Sequence, residues 1–283
     1  MKTALRSLMA LVIGLCLLLG SFQAVNAQDT GDDLDYDRLL ARKNQVYEPG
    51  SADLIPSEGL QIKDTARYTF MIYMTGSNLE SKYASATKDI LEMLDSGIDL
   101  SSVNLILYTG GAQTWKSKIP SGFNSVIDLS LPGSDYVVAS TKANADMGAW
   151  ETLQKFINFT TTYFPAEHYA LIFWDHGGGP LWGYVSDELF DSDSLLLDEM
   201  KNAMNGTIFS GYTKLDLVGF DACLMGSYEV MNLWQRYAKY YIGSEELEPG
   251  DGWDYHFLEV LNQTEDPVRI GRSIVDHYGA YYD

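Results

Sequence analysis

Cysteine is scarce in this 283-residue sequence, which has two, Cys16 and Cys223. Cys16 lies in an apolar N-terminal run that we expect to be removed, so Cys223 would be the single thiol of the mature chain. One thiol excludes an intramolecular disulfide. It also excludes a Cys-rich zinc site, because such a site needs several ligands at fixed spacing. A lone cysteine in an exported protein indicates either an intermolecular bridge or a reactive thiol.

Positive charge is also scarce, with 19 Lys and Arg residues against 39 Asp and Glu and a net charge of −20. Residues 1–27 carry Lys2, Arg6 and no acid, so removing their two positive charges takes the net charge from −20 to −22. This excludes nucleic acid as the expected partner, because binding to phosphates rests on Lys and Arg. The acidity weakly favours cationic partners.

The N-terminus predicts export. Residues 1–27 combine the two basic residues, an apolar core over 8–20, and Val25-Asn26-Ala27 as a small-residue cleavage site before Gln28. This is the pattern of a secretory signal peptide. A membrane anchor is the alternative, but the apolar run is shorter than the ~20 residues that span a bilayer. We therefore expect a secreted, periplasmic or cell-surface protein whose only membrane contact precedes cleavage.

Two further segments follow the signal. Residues 28–64 are rich in Asp and interrupted by Pro and Gly, which predicts a flexible spacer or prosegment. Residues 65–283 alternate apolar runs with helical patterns, at 67–74, 103–108, 169–174 and 215–220 for the strands. That rhythm predicts an α/β domain with a mostly parallel sheet, and the stretch 115–140 reads as an antiparallel hairpin. The chain stops without a closing strand, so we expect a C-terminally incomplete domain.

Two of these apolar runs end at reactive side chains. The first leads to His176 and Gly177, and the second to Cys223. Ligands of open α/β sheets bind beyond the carboxyl ends of the strands, which lie about 4.8 Å apart. A thiolate is a nucleophile and a positioned histidine can move its proton, so the pair predicts a cysteine hydrolase. The plain alternative is that both residues are structural, since free cysteines are often buried.

A serine hydrolase is a further alternative, because His176-Gly-Gly-Gly179 resembles the oxyanion loop of lipases and esterases. That chemistry requires a Gly-x-Ser-x-Gly elbow, and the sequence contains none. Asp221 is the candidate acid near the thiol. Residues two apart in an extended segment face the same side, so we expect Asp221 and Cys223 to share one crevice. Asp175 is the rival acid, although it should point to the other side.

Four motifs together resemble the clostripain family of cysteine peptidases. They are Asn144-Ala-Asp-Met-Gly148, Trp174-Asp-His-Gly177, Gly219-Phe-Asp-Ala-Cys223 and Glu248-Pro-Gly-Asp-Gly-Trp253, within residues 65–283. The resemblance implies a caspase-like three-layer α/β/α fold, shared with gingipains, legumains and separases. It also implies a His176 and Cys223 catalytic dyad, an oxyanion hole from Gly177 and Cys223, and selection of basic P1 residues by Asp221.

The expected function is therefore that of a monomeric endopeptidase. It would cleave protein or peptide substrates after Arg or Lys through an acyl-enzyme. The resemblance requires no cofactor, although calcium activation is known in the family. Family members are often cut between the two dyad motifs, but no Lys or Arg occurs here between His176 and Lys201. The contrasting expectation is a non-enzymatic surface or adhesion domain that keeps the fold.

Overall fold

Five apolar runs form the parallel centre of an eight-stranded sheet. The computed structural model describes residues 51–131 and 136–283, so the predicted signal peptide and the first part of the predicted spacer lie outside the described residues. The parallel strands are β2 (Ala66–Thr75), β3 (Val103–Gly110), β6 (Ala166–Trp174), β9 (Leu215–Asp221) and β10 (Ala238–Ile242). In β2, β3, β6 and β9 nearly continuous burial explains the absence of strict polar alternation, whereas β10 at the edge of the sheet is mostly exposed or half-buried.

Three antiparallel strands extend one edge of this sheet. They are β1 (Ile55–Pro56), β4 (Ser125–Asp128) and β5 (Val137–Ser140). The full order is β1-β5-β4-β3-β2-β6-β9-β10. The hairpin predicted over 115–140 is thus confirmed as the β4 and β5 pair, with residues 132–135 outside the described part.

Helices cover both faces of the sheet. On one face α3 (Trp150–Tyr163), α5 (Leu197–Asn205) and α6 (Tyr228–Trp234) bury apolar side chains such as Phe156 and Trp234. On the other face lie α2 (Ser85–Asp95), a 3-10 helix (Tyr255–Asn262) and α7 (Pro267–Tyr282). The predicted α/β class with a mostly parallel sheet between two helical layers is confirmed.

Short elements around the sheet escaped the sequence analysis. Helix α1 (Ser77–Tyr83) follows β2, and a single helical turn, α4 (Gly179–Trp182), follows β6. A small hairpin of β7 (Tyr184–Asp187) and β8 (Asp193–Leu195) comes next. These elements surround the carboxyl ends of β2 and β6, where the predicted catalytic histidine lies.

The described part of the predicted spacer, residues 51–64, contacts the edge of the sheet. Ala52 is fully buried, and β1 adds to the sheet edge through β5. Lys63 pairs with Asp128 at 2.6 Å and lies over the Phe164 ring. These contacts supply the burial that the polar composition of the segment did not suggest. In the described residues no helix is both long and apolar enough to cross a bilayer.

Candidate active site

The sheet register places His176 and Cys223 side by side. Trp174 at the end of β6 pairs with Asp221 at the end of the parallel strand β9, and each catalytic candidate follows two residues later. The segments remain in contact beyond the strands. A Cβ atom built on Gly177 would lie 2.1 Å from the backbone oxygen of Cys223. Only glycine therefore allows the two chain segments to approach so closely.

His176 is held by a residue that the sequence analysis did not single out. Its Nε2 lies 2.7 Å from Oδ1 of Asn78, which belongs to α1. Since an amide oxygen only accepts, this pairing assigns the hydrogen to Nε2 and leaves Nδ1 as the free base. The backbone oxygen of His176 accepts from the N–H of Val185 in β7 at 3.0 Å. Imidazole and backbone are thus both positioned.

Asp175, the residue before His176, is also bound by a side chain of α1. Ser77 Oγ donates to Oδ1 of Asp175 at 2.6 Å, and the N–H of Ser186 donates to Oδ2 at 2.6 Å. Two consecutive residues of α1, Ser77 and Asn78, therefore bind two consecutive residues after β6, Asp175 and His176. Ser77 has φ 47°, a left-handed conformation that non-glycine residues seldom adopt and that costs roughly 1–3 kcal/mol. The buried hydrogen bonds hold it there.

Burial sets the charge of both catalytic candidates. It lowers the pKa of His176 to about 4, so the imidazole is neutral at pH 7. Burial also raises the pKa of the half-buried Cys223 thiol, although the N–H of Glu248 donates to Sγ at 3.2 Å. At rest the Cys223 thiol and the His176 imidazole are therefore both neutral.

Asp221 lies at the end of β9 but is not open to the crevice. It is 4% exposed, and its oxygens accept from the N–H of Trp253 at 3.1 Å and the hydroxyl of Tyr255 at 2.9 Å. β9 ends at Asp221, so the strand in which residues two apart share a side does not extend to Cys223. Burial raises the pKa of Asp221 to about 7.

Glu248 connects this acid to the thiol, and the sequence analysis gave it no role of its own. Its carboxyl lies against the side chains of Asp221 and Trp253 and the backbone of Ala222. Its backbone N–H donates to Cys223 Sγ at 3.2 Å. One glutamate therefore contacts three consecutive residues, 221–223. The motif that contains it was visible in the sequence, but only the structure brings it to the thiol.

The described residues offer one group with the spacing of a metal site, formed by Glu92, Asp254 and His256. Its members already have hydrogen-bond partners. Tyr255 N–H donates to Glu92 at 3.1 Å, and His256 Nδ1 lies 2.6 Å from Asp254 Oδ1. Calcium prefers six to eight oxygen ligands, and a group of two carboxylates and an imidazole does not fit it.

Comparisons with known proteins agree with the geometry. The family model described as the clostripain family matches residues 72–283. Clostripain of Hathewaya histolytica is 31% identical over 107 residues, which are 33% of this chain and 19% of that protein. The chain thus spans about a fifth of the length of this relative.

Solved structures share the fold. One is a secreted C11 cysteine protease from Bacteroides thetaiotaomicron in complex with an irreversible peptide inhibitor. It aligns with a TM-score of 0.60 at 22% identity, and the alignment covers 77% of this chain and 59% of that one. An inactive zymogen C11 protease from Parabacteroides distasonis aligns with a TM-score of 0.55 at 22% identity, covering 78% and 60%. The expected caspase-like fold is confirmed.

Proposed function

We propose, because this chain belongs to the clostripain family, that it is a cysteine endopeptidase that cleaves after Arg or Lys. The observation that carries the proposal is the contact between the two segments that bear His176 and Cys223, two residues beyond a paired strand register. A nucleophile and a base at neighbouring strand ends are what acyl transfer requires.

The catalytic roles follow from the atoms available. Nδ1 of His176 takes the proton of Cys223 as Sγ attacks the scissile carbonyl carbon. The backbone N–H groups of Gly177 and Cys223 receive the resulting oxyanion, because Gly177 has no Cβ to keep a substrate oxygen away. His176 then protonates the leaving amine, and water hydrolyses the acyl-enzyme with the same histidine as base.

Asn78 acts on this reaction through His176. By accepting from Nε2–H it holds the tautomer in which Nδ1 is free, and it stabilises the imidazolium that forms during proton transfer. An amide adds no charge. Burial can therefore keep the pKa of His176 low, and the histidine stays deprotonated at neutral pH.

Selection of a basic P1 residue is assigned to Asp221. A carboxylate beside the nucleophile can pair with a guanidinium through two hydrogen bonds or with an ammonium as a point charge. Asp221 is buried under the segment that follows Glu248, so a P1 side chain must enter from the side of that segment. The acidic net charge favours approach of such substrates at low salt.

Peptide hydrolysis tests the proposal directly. The full chain is incubated with fluorogenic peptides that carry Arg, Lys, Asp or Asn at P1, with and without calcium or a thiol reductant. We expect turnover of the Arg and Lys peptides alone, and none by Cys223→Ala. Cleavage of the Asp or Asn peptides instead would reassign the specificity, and binding without any cleavage would return the alternative of a non-enzymatic binding domain.

Export is part of the same proposal. The pattern of residues 1–27 supports a signal peptide, and one structural neighbour is described as secreted. N-terminal sequencing of protein collected outside producing cells is expected to begin at Gln28. A mature chain that still begins at Met1 would contradict export through this segment.

A further inference from the structure

We propose that Glu248 is a second specificity-determining acid and that it shares a proton with Asp221 until the cation of a P1 Arg or Lys replaces that proton. This inference rests on the proposed function. The O–H bond of the shared carboxyl breaks, the proton passes to the solvent, and the two carboxylates face the incoming guanidinium or ammonium. Binding of a basic residue would then release a proton, whereas binding of a neutral residue would not.

The first argument is geometric. The Glu248 carboxyl lies against the Asp221 carboxyl, and the Glu248 backbone N–H donates to Cys223 Sγ at 3.2 Å. Glu248 therefore contacts both the proposed P1 acid and the nucleophile. Its Oε2 atom is buried and has no hydrogen-bond partner among the described residues. An acceptor left in that state is available to a donor from a ligand.

The second argument concerns charge. Asp221 and Glu248 form no ion pair with a Lys or Arg of the described residues. The titratable groups against them come from every neighbouring element: Asp89 and Glu92 of α2, Tyr255 of the 3-10 helix, Tyr278 of α7, and Cys223. None of these groups supplies a positive charge.

Two adjacent carboxyls in such surroundings cannot both ionise without a large cost. Burial and the neighbouring Asp221 raise the pKa of Glu248 to about 9, and burial raises that of Asp221 to about 7. Near pH 7 the pair therefore keeps at least one proton. The two acids titrate as one unit, so the proton belongs to the pair.

Access to the pair is closed by one turn. The N–H of Gly252 donates to the oxygen of Pro249 at 3.0 Å, and a Cβ built on Gly252 would lie 2.8 Å from Asp221 Oδ1. Residues 249–251 of this turn are exposed. A ligand cation thus needs to move only an exposed turn to reach the carboxyls, and its charge then removes the reason for the shared proton.

Calorimetry counts the proton. The full chain carrying Cys223→Ala is titrated at pH 7 with a peptide that has Arg at P1, in phosphate and in Tris, whose ionisation enthalpies differ. We expect release of about one to two protons for each bound Arg peptide, since a pair with pKa values of about 7 and 9 holds between one and two at this pH. The same peptide with norleucine at P1 is the ligand control, and we expect no release from it.

Variants of Glu248 locate the proton. In the Cys223→Ala background, Glu248→Gln preserves the shape of the side chain and cannot ionise, so we expect it to abolish most of the proton release. Glu248→Asp keeps an ionisable acid, so we expect it to retain the proton release. Glu245→Gln, at an exposed acid of the same segment, is the matched control. With Cys223 present, Glu248→Gln should lower kcat/KM for Arg peptides by about tenfold and flatten its rise between pH 6 and 8. Thermal unfolding establishes that each variant is folded.

The outcomes separate the two proposals. Cleavage of Arg peptides by the wild-type chain, with no proton release on binding or the same release in Glu248→Gln, would overturn the shared proton and leave the proposed function standing. Failure of the wild-type chain to cleave any Arg or Lys peptide would overturn the proposed function and this inference with it.

Discussion

Substitution of Gly177 by alanine tests the contact on which the site depends. The new Cβ would lie 2.1 Å from the Cys223 oxygen, whereas real Cβ contacts essentially never fall below 3.0 Å. The two segments must therefore separate by about 0.9 Å, the difference between those values. Met225 at 3.0 Å and Ala222 at 3.2 Å from the same position limit a sideways escape.

A displacement of about 1 Å at reacting groups can cost roughly 10²-fold in rate. We expect Gly177→Ala to lower kcat/KM by about that factor, and overpacking to lower the free energy of unfolding by about 1–3 kcal/mol. Hydrolysis of an Arg peptide and urea unfolding measure the two effects. Gly122→Ala is the control, because a Cβ there meets nothing within 4 Å. Wild-type activity and stability in Gly177→Ala would refute the close approach.

The other predictions concern the roles of single groups. Cys223→Ala and His176→Ala should each abolish peptide hydrolysis with unchanged thermal unfolding, and more than a few per cent of residual activity would contradict the dyad. The His176 limb of kcat/KM should lie near the pKa of His176, about 4, so this limb should leave activity at pH 5.5. Asn78→Ala should lower kcat with little change in KM. Asn78→Asp should move the His176 limb to higher pH, because a carboxylate favours the imidazolium. An unchanged limb in Asn78→Asp would contradict the contact between residue 78 and His176. Asp221→Asn should lower kcat/KM for Arg peptides by about 10- to 100-fold. The raised pKa of Asp221, about 7, means that the folded state prefers the protonated acid. The free energy of unfolding of the wild type, measured in urea, should therefore decrease from pH 4 to 7. In Asp221→Asn, which lacks this titrating group, it should decrease less.

The sheet could be predicted because its strands are buried on both faces. Each of the apolar runs that end near 74, 108, 174 and 220 became a parallel strand. The bounds differ by no more than two residues, except that β6 begins three residues earlier than expected. The hairpin of β7 and β8 was missed. Its strands have four and three residues, and Asp191 and Ser192 between them adopt left-handed conformations without glycine. Local sequence carries little signal for such turns.

The candidate site was predictable to the extent that strand ends determine it. His176, Cys223 and Gly177 follow from strands that end at the same edge. Asn78 also follows a strand, β2, at that edge. Residues that follow the carboxyl ends of parallel strands meet at one edge of the sheet, so the sequence contained the signal that places Asn78 near His176. The burial of Asp221 and the role of Glu248 depend on how a distant segment folds over β9. Spacing along the chain contains no information about that contact.

The raised pKa of the Cys223 thiol also governs how long the site survives unused. Oxidants and alkylating reagents attack the thiolate, and burial keeps its population small until a substrate arrives. With residues 1–27 removed as proposed, the chain has no second cysteine to resolve a sulfenic acid as an internal disulfide. Low intrinsic reactivity therefore acts as chemical protection, and slow labelling by iodoacetamide at pH 7 would be its signature.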